Sequence, residues 1–246
     1  MTKTVLLFVC AVLFSAATFA QNNTLTEREK RDGWILMFNG ENFDGWRQYN
    51  KPTMAPFWSI DQEAMRIAPM SERPSRAEGE EPLPSSCIIF DRKFENFELS
   101  IDWMVGRGAN SGIFFLVQEI PGQTIYAAAP EFQILDNWNA ADNVRTSHLA
   151  GSLYGIIPAL PQVANPHNMW NRSVIRVDNG HVTHTMNGVR VVETTFWTEE
   201  WDAIFARSHF SRWATMQNGF ARSGFIGLQD HRDYPVWFRN IKIREL

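Results

Sequence analysis

Between residues 130 and 137 the chain reads Pro130-Glu131-Phe132-Gln133-Ile134-Leu135-Asp136-Asn137. In an extended segment, alternation places Glu131, Gln133 and Leu135 on one face and Phe132 and Ile134 on the other. An acid beside an amide, backed by two apolar residues, suits a polar surface that moves a proton and holds hydroxyl groups. The plainer alternative is a solvent-exposed strand face that ends in an Asp136-Asn137 turn. Gln229 and His231 share a face by the same count, with Asp230 pointing away. An imidazole at a strand end suits acid–base work, although a surface turn leading into Arg232 would use the same residues. Asn110-Ser111-Gly112 offers side-chain donors beside a residue that lets backbone approach a ligand closely, or else a simple turn. Tyr154 can donate to an oxyanion, stack on a ring, or belong to the core. His184, on a strand with Val182 and Met186, reads by its own pattern as a packed histidine.

These residues need strands to hold them. Asn39-Gly40, Asp44-Gly45, Asn179-Gly180 and Asn187-Gly188 are turn signals. Two of them link β-branched runs at 173–177, 181–186 and 189–192, the spacing of an antiparallel sheet. Further strands are expected at 97–105, 112–118, 130–135, 224–229 and 236–244. No helices alternate with them, so a parallel α/β layout is excluded and a two-sheet sandwich is expected. Thr26-Glu27-Arg28-Glu29 fits a capping box for a short leading helix. Residues 198–208 read as an amphipathic helix with Thr198 as its N-cap and Trp201, Ile204 and Phe205 on one side. The Pro-, Glu- and Ser-rich stretch 69–84 reads as an exposed loop.

Composition narrows the function. The 246 residues carry 23 Lys+Arg against 27 Asp+Glu, a net charge of −4, which lacks the basic stripe that a nucleic-acid surface needs. Lys3, the ten-residue apolar run 5–14 and the small residues at the −3 and −1 positions of a cut after Ala20 read as a secretory leader. The run is too short to span a bilayer, and no other stretch is long enough. The mature part, 21–246, is read as one domain in the periplasm or outside the cell. It retains only Cys87, so no intramolecular disulfide is available.

The last strand carries an anomaly. Ile241 and Ile243 alternate with Lys242 and Arg244, and extending that register backwards puts Arg239 on the inward side with Trp237. Either a bulge shifts the register, or Arg239 enters the sandwich or its concave surface to meet an anion. Metal-binding spacings of the His-x-x-x-His, Cys-x-x-Cys and EF-hand kinds are absent. A divalent ion held by distant ligands such as Glu131, Asp136 and His231 stays open.

The 130–137 run, together with Asn110-Ser111-Gly112-Ile113, Gly151-Ser152-Leu153-Tyr154, Asn187-Gly188 and Gly227-Leu228-Gln229-Asp230-His231, resembles the 3-keto-disaccharide hydrolase family. Members are also described as 3-keto-glucoside 1,2-lyases and 3-keto-2-hydroxy-glucal hydratases. The opening Leu36-Met37-Phe38-Asn39-Gly40 with Asp44-Gly45-Trp46, and the ending Val236-Trp237-Phe238-Arg239-Asn240-Ile241, extend the match over the whole mature chain. The resemblance implies an all-β fold, a concanavalin-like jelly-roll sandwich of two antiparallel sheets with short helical insertions. It also implies action on carbohydrate, by elimination, hydration or binding. It moves Glu131 to the front as a base or metal ligand, and His184, just before Asn187-Gly188, towards the site.

In a 3-keto sugar the ketone acidifies the neighbouring C2–H. A base removes that proton, the C1 substituent leaves, and water then adds. Such a site needs a base near C2, a donor or metal near the C3 oxygen, and an acid near the leaving oxygen. Glu131 and His231 are expected to handle protons, with Asn110, Ser111, Gln133, Asp136, Tyr154, His184, Gln229 and Arg239 holding the sugar. With no dinucleotide fingerprint in the chain, the upstream oxidation falls to a separate sugar oxidoreductase. Two rival readings stand: a non-catalytic carbohydrate-binding module, and a conventional two-carboxylate glycosidase. For the latter, the 98–105 strand lacks the final acid of an alternating Glu-x-Asp-x-x-Glu pattern.

Overall fold

The computed structural model describes residues 21–74, 86–232 and 234–246. The expected leader and most of the expected 69–84 loop lie outside those residues. The strands are β1 (Ile35–Leu36), β2 (Trp46–Gln48), β3 (Trp58–Asp61), β4 (Ala64–Ile67), β5 (Ile88–Phe94), β6 (Phe97–Val105) and β7 (Asn110–Val117). They continue with β8 (Glu131–Leu135), β9 (Asn171–Asp178), β10 (His181–Met186), β11 (Val189–Thr195), β12 (Gly224–Leu228) and β13 (Val236–Glu245). One sheet runs β11-β10-β9-β6-β13-β4-β3, with β1 also paired to β13; the other runs β2-β5-β12-β7-β8. Every pairing is antiparallel. The all-β sandwich expected from the turn spacing is therefore the fold.

Period-two alternation builds the core. Leu99, Ile101 and Trp103 of β6, Ile113 and Phe115 of β7, and Phe132 and Ile134 of β8 meet Ile175, Val182 and Ile243 between the sheets. A fully buried aromatic or aliphatic side chain of this kind contributes about 1.5–3 kcal/mol. The other side of the five-stranded sheet carries a smaller apolar cluster, in which Ile89, Phe114 and Val117 pack with Tyr49, Cys87 and Ile125. Glu131 stands opposite Phe114 in the β7–β8 register, and Gln133 opposite Gly112. Both polar residues therefore belong to that outer face.

Helix α1 (Glu27–Arg31) has both halves of the Thr26–Glu29 capping box. Helix α2 (Glu199–Phe205) starts where the Thr198 side chain accepts the Trp201 amide, and buries Trp201 and Phe205. Strand β13 contains the bulge that settles the Arg239 question. Its pairing with β6 slips between Arg239 and Lys242, and Asn240 sits at φ 53. Asn240 is fastened there by hydrogen bonds with Asn23 at 2.7 and 2.8 Å and with Asp102 at 2.8 Å. The extra residue returns Ile241 and Ile243 to the core beside Phe238 and turns Arg239 outward. Its guanidinium lies 3.8 Å above the Trp170 ring, on the eight-stranded sheet and away from Glu131. Of the two alternatives the bulge is the one realised, and the expected place of Arg239 among the sugar contacts is corrected: it does not line the cleft that holds Glu131.

Candidate functional site

A cleft of about 470 Å³ opens on the outer face of the five-stranded sheet. Glu131 and Gln133 of β8 and Asn110 of β7 supply its floor, and Gln229, Asp230 and His231 enter where β12 ends. Glu131 can lie flat across the sheet because its neighbour strand carries Gly112. A Cβ at that glycine would stand 1.9 Å from Glu131 Oε1 and 2.8 Å from its Cγ. The Glu131 carboxyl is buried and has no hydrogen-bond partner among the described residues; burial first, and the charge of Asp142 second, raise its pKa well above 4.5. It is held as a neutral acid to a higher pH than an ordinary carboxyl, the tuning that proton-transfer chemistry uses.

Beside it stand two primary amides with unspent hydrogen-bonding capacity. Both Nε2 and Oε1 of Gln133 are buried without a partner, as is Oε1 of Gln229. Buried polar atoms are normally paired, so these orphan atoms have hydrogen-bonding capacity left for a ligand's hydroxyl or carbonyl groups. Gln229 is fixed by its backbone: its amide donates to Gly112 O at 2.9 Å, and its carbonyl accepts Ser111 Oγ at 2.9 Å. Ser111 thus lies on the core side and steadies Gln229 from beneath, which corrects its expected place as a sugar contact. Asp230 turns away into a doubly hydrogen-bonded pair with Arg73 at 2.6 and 3.0 Å, both side chains fully buried. This pair anchors the segment that carries Gln229 and His231.

The segment 151–157 extends the sheet edge at β8. Gly151 N donates to Gln133 O and Tyr154 N to Glu131 O, at 2.9 and 3.0 Å. Tyr154 is therefore set beside Glu131, with its hydroxyl donating to Asp142 Oδ2 at 3.1 Å. His148 Nδ1 donates to the other Asp142 oxygen at 2.8 Å, and the His148 and Tyr154 rings lie 4.6 Å apart. Burial, then the acidic neighbours Asp142 and Glu131, push the Tyr154 phenol up, so it remains a proton donor. His209 closes in from the turn after α2, over Gly155, where a Cβ would lie 2.5 Å from its ring. Burial and the nearby His148, Arg212 and Arg145 lower its pKa. Tyr126 and Trp213, 5.6 Å apart edge to face, line the same cleft.

The structure thus brings Glu131, Gln133, Asn110, Tyr154, Gln229 and His231 to one cleft. Asp136 and His184 are not among its lining residues. Asp136 is buried and organises a loop: it accepts from Gly108 N and Asn139 Nδ2 at 2.8 Å and from Trp138 N at 3.2 Å. Burial works against its ionisation, but those donors and His167 outweigh it and hold the carboxyl below its ordinary range. With its oxygens committed, a metal site of Glu131, Asp136 and His231 does not assemble. Among the described residues no three His, Cys, Asp or Glu side chains group to hold an ion. His184 follows its own alternation into the core: it packs 4.8 Å from Phe132 and 5.8 Å from Phe115, and its Nδ1 donates to Gly151 O at 2.9 Å. Its expected place in the site is corrected accordingly. Asp142, His148, His209 and Arg73 escape the sequence reading because they sit in irregular segments that show no period.

The match to known proteins spans the fold. A 3-keto-α-glucoside-1,2-lyase-like domain model matches residues 33–244. A protein of Bacteroides thetaiotaomicron named 3-keto-disaccharide hydrolase is 38% identical over 238 residues, covering 87% of this chain and 79% of that protein. Among solved structures, a provisionally named glycosyl hydrolase from Parabacteroides distasonis superposes with a TM-score of 0.80 at 26% identity, covering 92% of this chain and 100% of the other. A second from the same organism gives 0.62 at 24% identity, covering 87% and 99%. The chain belongs to the 3-keto-α-glucoside-1,2-lyase-like domain family.

Proposed function

We propose that the protein cleaves 3-keto-glucosides by elimination across C1 and C2 and then hydrates the 3-keto-2-hydroxy-glucal, a net glycoside hydrolysis. The observation that carries this reading is the Glu131 carboxyl, buried and unpartnered beside the orphan amides of Gln133 and Gln229. A base of raised pKa is well matched to a carbon acid activated by a ketone. Glu131 in its ionised form takes the C2 proton. The electron pair forms the C1=C2 double bond and the C1–O bond breaks, with the leaving oxygen protonated from His231. The unpaired Nε2–H of Gln133 suits the C3 oxygen as it gains enolate charge. Water then adds at C1, and C2 recovers its proton. The name of the Bacteroides relative and the family model support carbohydrate hydrolysis in general.

The reading makes two further demands. A separate oxidoreductase must install the ketone, because this chemistry begins from an oxidised sugar. The apolar run and small residues of 5–20 support export to the periplasm or beyond it; no helix of the described residues is long and apolar enough to cross a membrane.

One observation favours a second reading: Asp142 lies close enough to raise the Glu131 pKa, so two carboxyl groups share the region, as in a conventional glycosidase. Purified protein incubated with a 3-keto-glucoside and with the unoxidised glucoside decides between them. Release of the aglycone from the keto sugar alone, lost in Glu131→Gln, supports elimination. Release from the unoxidised sugar overturns it in favour of the two-carboxylate route, and saturable binding without release from either leaves a binding module.

A further inference from the structure

The cleft has a second lobe, also of about 470 Å³, lined by Gly108, Asn139, Ala141, Asp142 and Tyr234. The two lobes meet at Asn110, Tyr154 and His231, which border both. We propose that the second lobe is the subsite for the departing sugar and that it selects a neutral, hydroxyl-rich hexose. This assignment rests on the elimination reading above.

The direction follows from the placement of the proton-handling groups. Glu131, Gln133 and Gln229 line only the first lobe, so the ring that loses its C2 proton lies there. The glycosidic oxygen then falls at the junction, beside Asn110, Tyr154 and His231, and the group it carries extends into the second lobe. Each lobe is within the range of about 300–1,000 Å³ typical of small-molecule sites, so the pair accommodates two rings end to end.

The lining sets the chemistry of the occupant. Asp142 is held by His148 at 2.8 Å and Tyr154 at 3.1 Å, with Asn110 Nδ2 at 3.5 Å. A carboxylate has roughly four acceptor positions, so it retains capacity for sugar hydroxyls. The lining of this lobe includes no Lys or Arg among the described residues, so Asp142 would repel an acidic or phosphorylated sugar with no lysine or arginine of the lining to offset it. Tyr234 is 48% exposed and its ring covers Gly108, where a Cβ would stand 3.2 Å away. It presents an aromatic surface to the C–H bonds of a pyranose.

Ala141 is exposed on the lobe wall and belongs to no proton-handling group, so Ala141→Trp fills the lobe without touching the reaction. Tyr234→Ala, which removes a surface ring, provides a second variant. With a 3-keto glucosyl-glucose disaccharide, Ala141→Trp raises KM at least about ten-fold and Tyr234→Ala raises it several-fold. With methyl 3-keto-glucoside, whose leaving group is too small to enter the lobe, kcat/KM stays within about two-fold. An equal loss on both substrates, or no loss on the disaccharide, overturns the subsite. Calorimetric titration of the native and Ala141→Trp proteins with the unoxidised disaccharide and with methyl glucoside separates this inference from the catalytic reading. A loss of affinity confined to the disaccharide supports the subsite even where neither keto sugar is turned over, in which case the catalytic reading alone fails. Equal affinities in the two proteins, or no binding of disaccharide to the native protein, overturn the subsite.

Discussion

Glu131 occupies the space that a side chain at position 112 would need: a Cβ on Gly112 would stand 1.9 Å from the carboxyl oxygen and 2.6 Å from Cδ. The two residues lie on paired strands, so the backbone cannot relieve the overlap without breaking the β7–β8 ladder. Gly112→Ala must therefore swing Glu131 out of its position. An ångström of misplacement of a catalytic group costs about 10²-fold, so activity on a 3-keto-glucoside should fall by about that factor while the circular dichroism spectrum and cooperative melting persist. Native turnover in Gly112→Ala would mean that Glu131 does not need this position.

Glu131 also shapes the dependence of stability on pH. Folding retains a proton that the unfolded chain releases near pH 4.5. The native state thus binds more protons above that pH, and stability declines as pH rises, by up to about 1.4 kcal/mol per unit, until the native carboxyl itself ionises. Glu131→Gln removes this loss. The variant should exceed the native protein in stability at pH 7 and approach it at pH 4.5, as read from urea denaturation at the two values. The activity of the native protein should rise with pH through a limb displaced above the ordinary carboxyl range. A limb near pH 4.5 would assign the base elsewhere.

How far the sequence discloses this site depends on the regularity of each segment. Glu131 and Gln133 are legible because Phe132 and Ile134 alternate with them, and the strands at 173–192 because two Asn-Gly turns separate β-branched runs. Strand β2 has three residues, too few to show a period, and β5 reads Ile-Ile-Phe-Asp-Arg-Lys-Phe with apolar residues side by side. Asp142, His148 and His209 come from turns whose positions are set by what they pack on, so no local pattern marks them. Arg239 depends on one inserted residue, Asn240, anchored by the distant Asn23. His184 teaches the reverse: its alternation with Val182 and Met186 places it in the core, and its resemblance to a family position points the wrong way.

The Arg73–Asp230 pair should prove structural. Both side chains are fully buried, Arg73 donates twice more to Ala68 O at 2.6 and 2.8 Å, and Asp230 also accepts Ser86 N at 3.1 Å. Removing one partner of such a pair leaves a buried charge uncompensated and costs about 3–5 kcal/mol. Arg73→Met should lose that much stability in urea denaturation. Because Gln229 and His231 flank Asp230, substrate affinity should fall along with it. A variant as stable as the native protein would show that Asp230 finds another donor or takes up a proton.

His184 gives the opposite pH signature. Burial between Phe115 and Phe132 lowers its pKa from 6.5 to about 4, the hydrogen bond to Gly151 offsetting only part of this. The unfolded chain takes up a proton near pH 6.5 that the native state refuses until about pH 4. The stability present above pH 6.5 is therefore lost as pH falls through that window, by up to about 3 kcal/mol. In the native protein the Glu131 effect runs the other way above pH 4.5, so the two slopes oppose each other. Glu131→Gln should expose the His184 limb as a steep loss of stability between pH 6.5 and 4. Adding His184→Leu should flatten it, at a uniform cost of about 1–3 kcal/mol for the unpaired Gly151 carbonyl. Urea denaturation of the three proteins at pH 4, 5, 6 and 7 measures both slopes. If the double variant keeps the steep acid limb, another buried base is responsible and the neutral, core-bound state assigned to His184 is wrong.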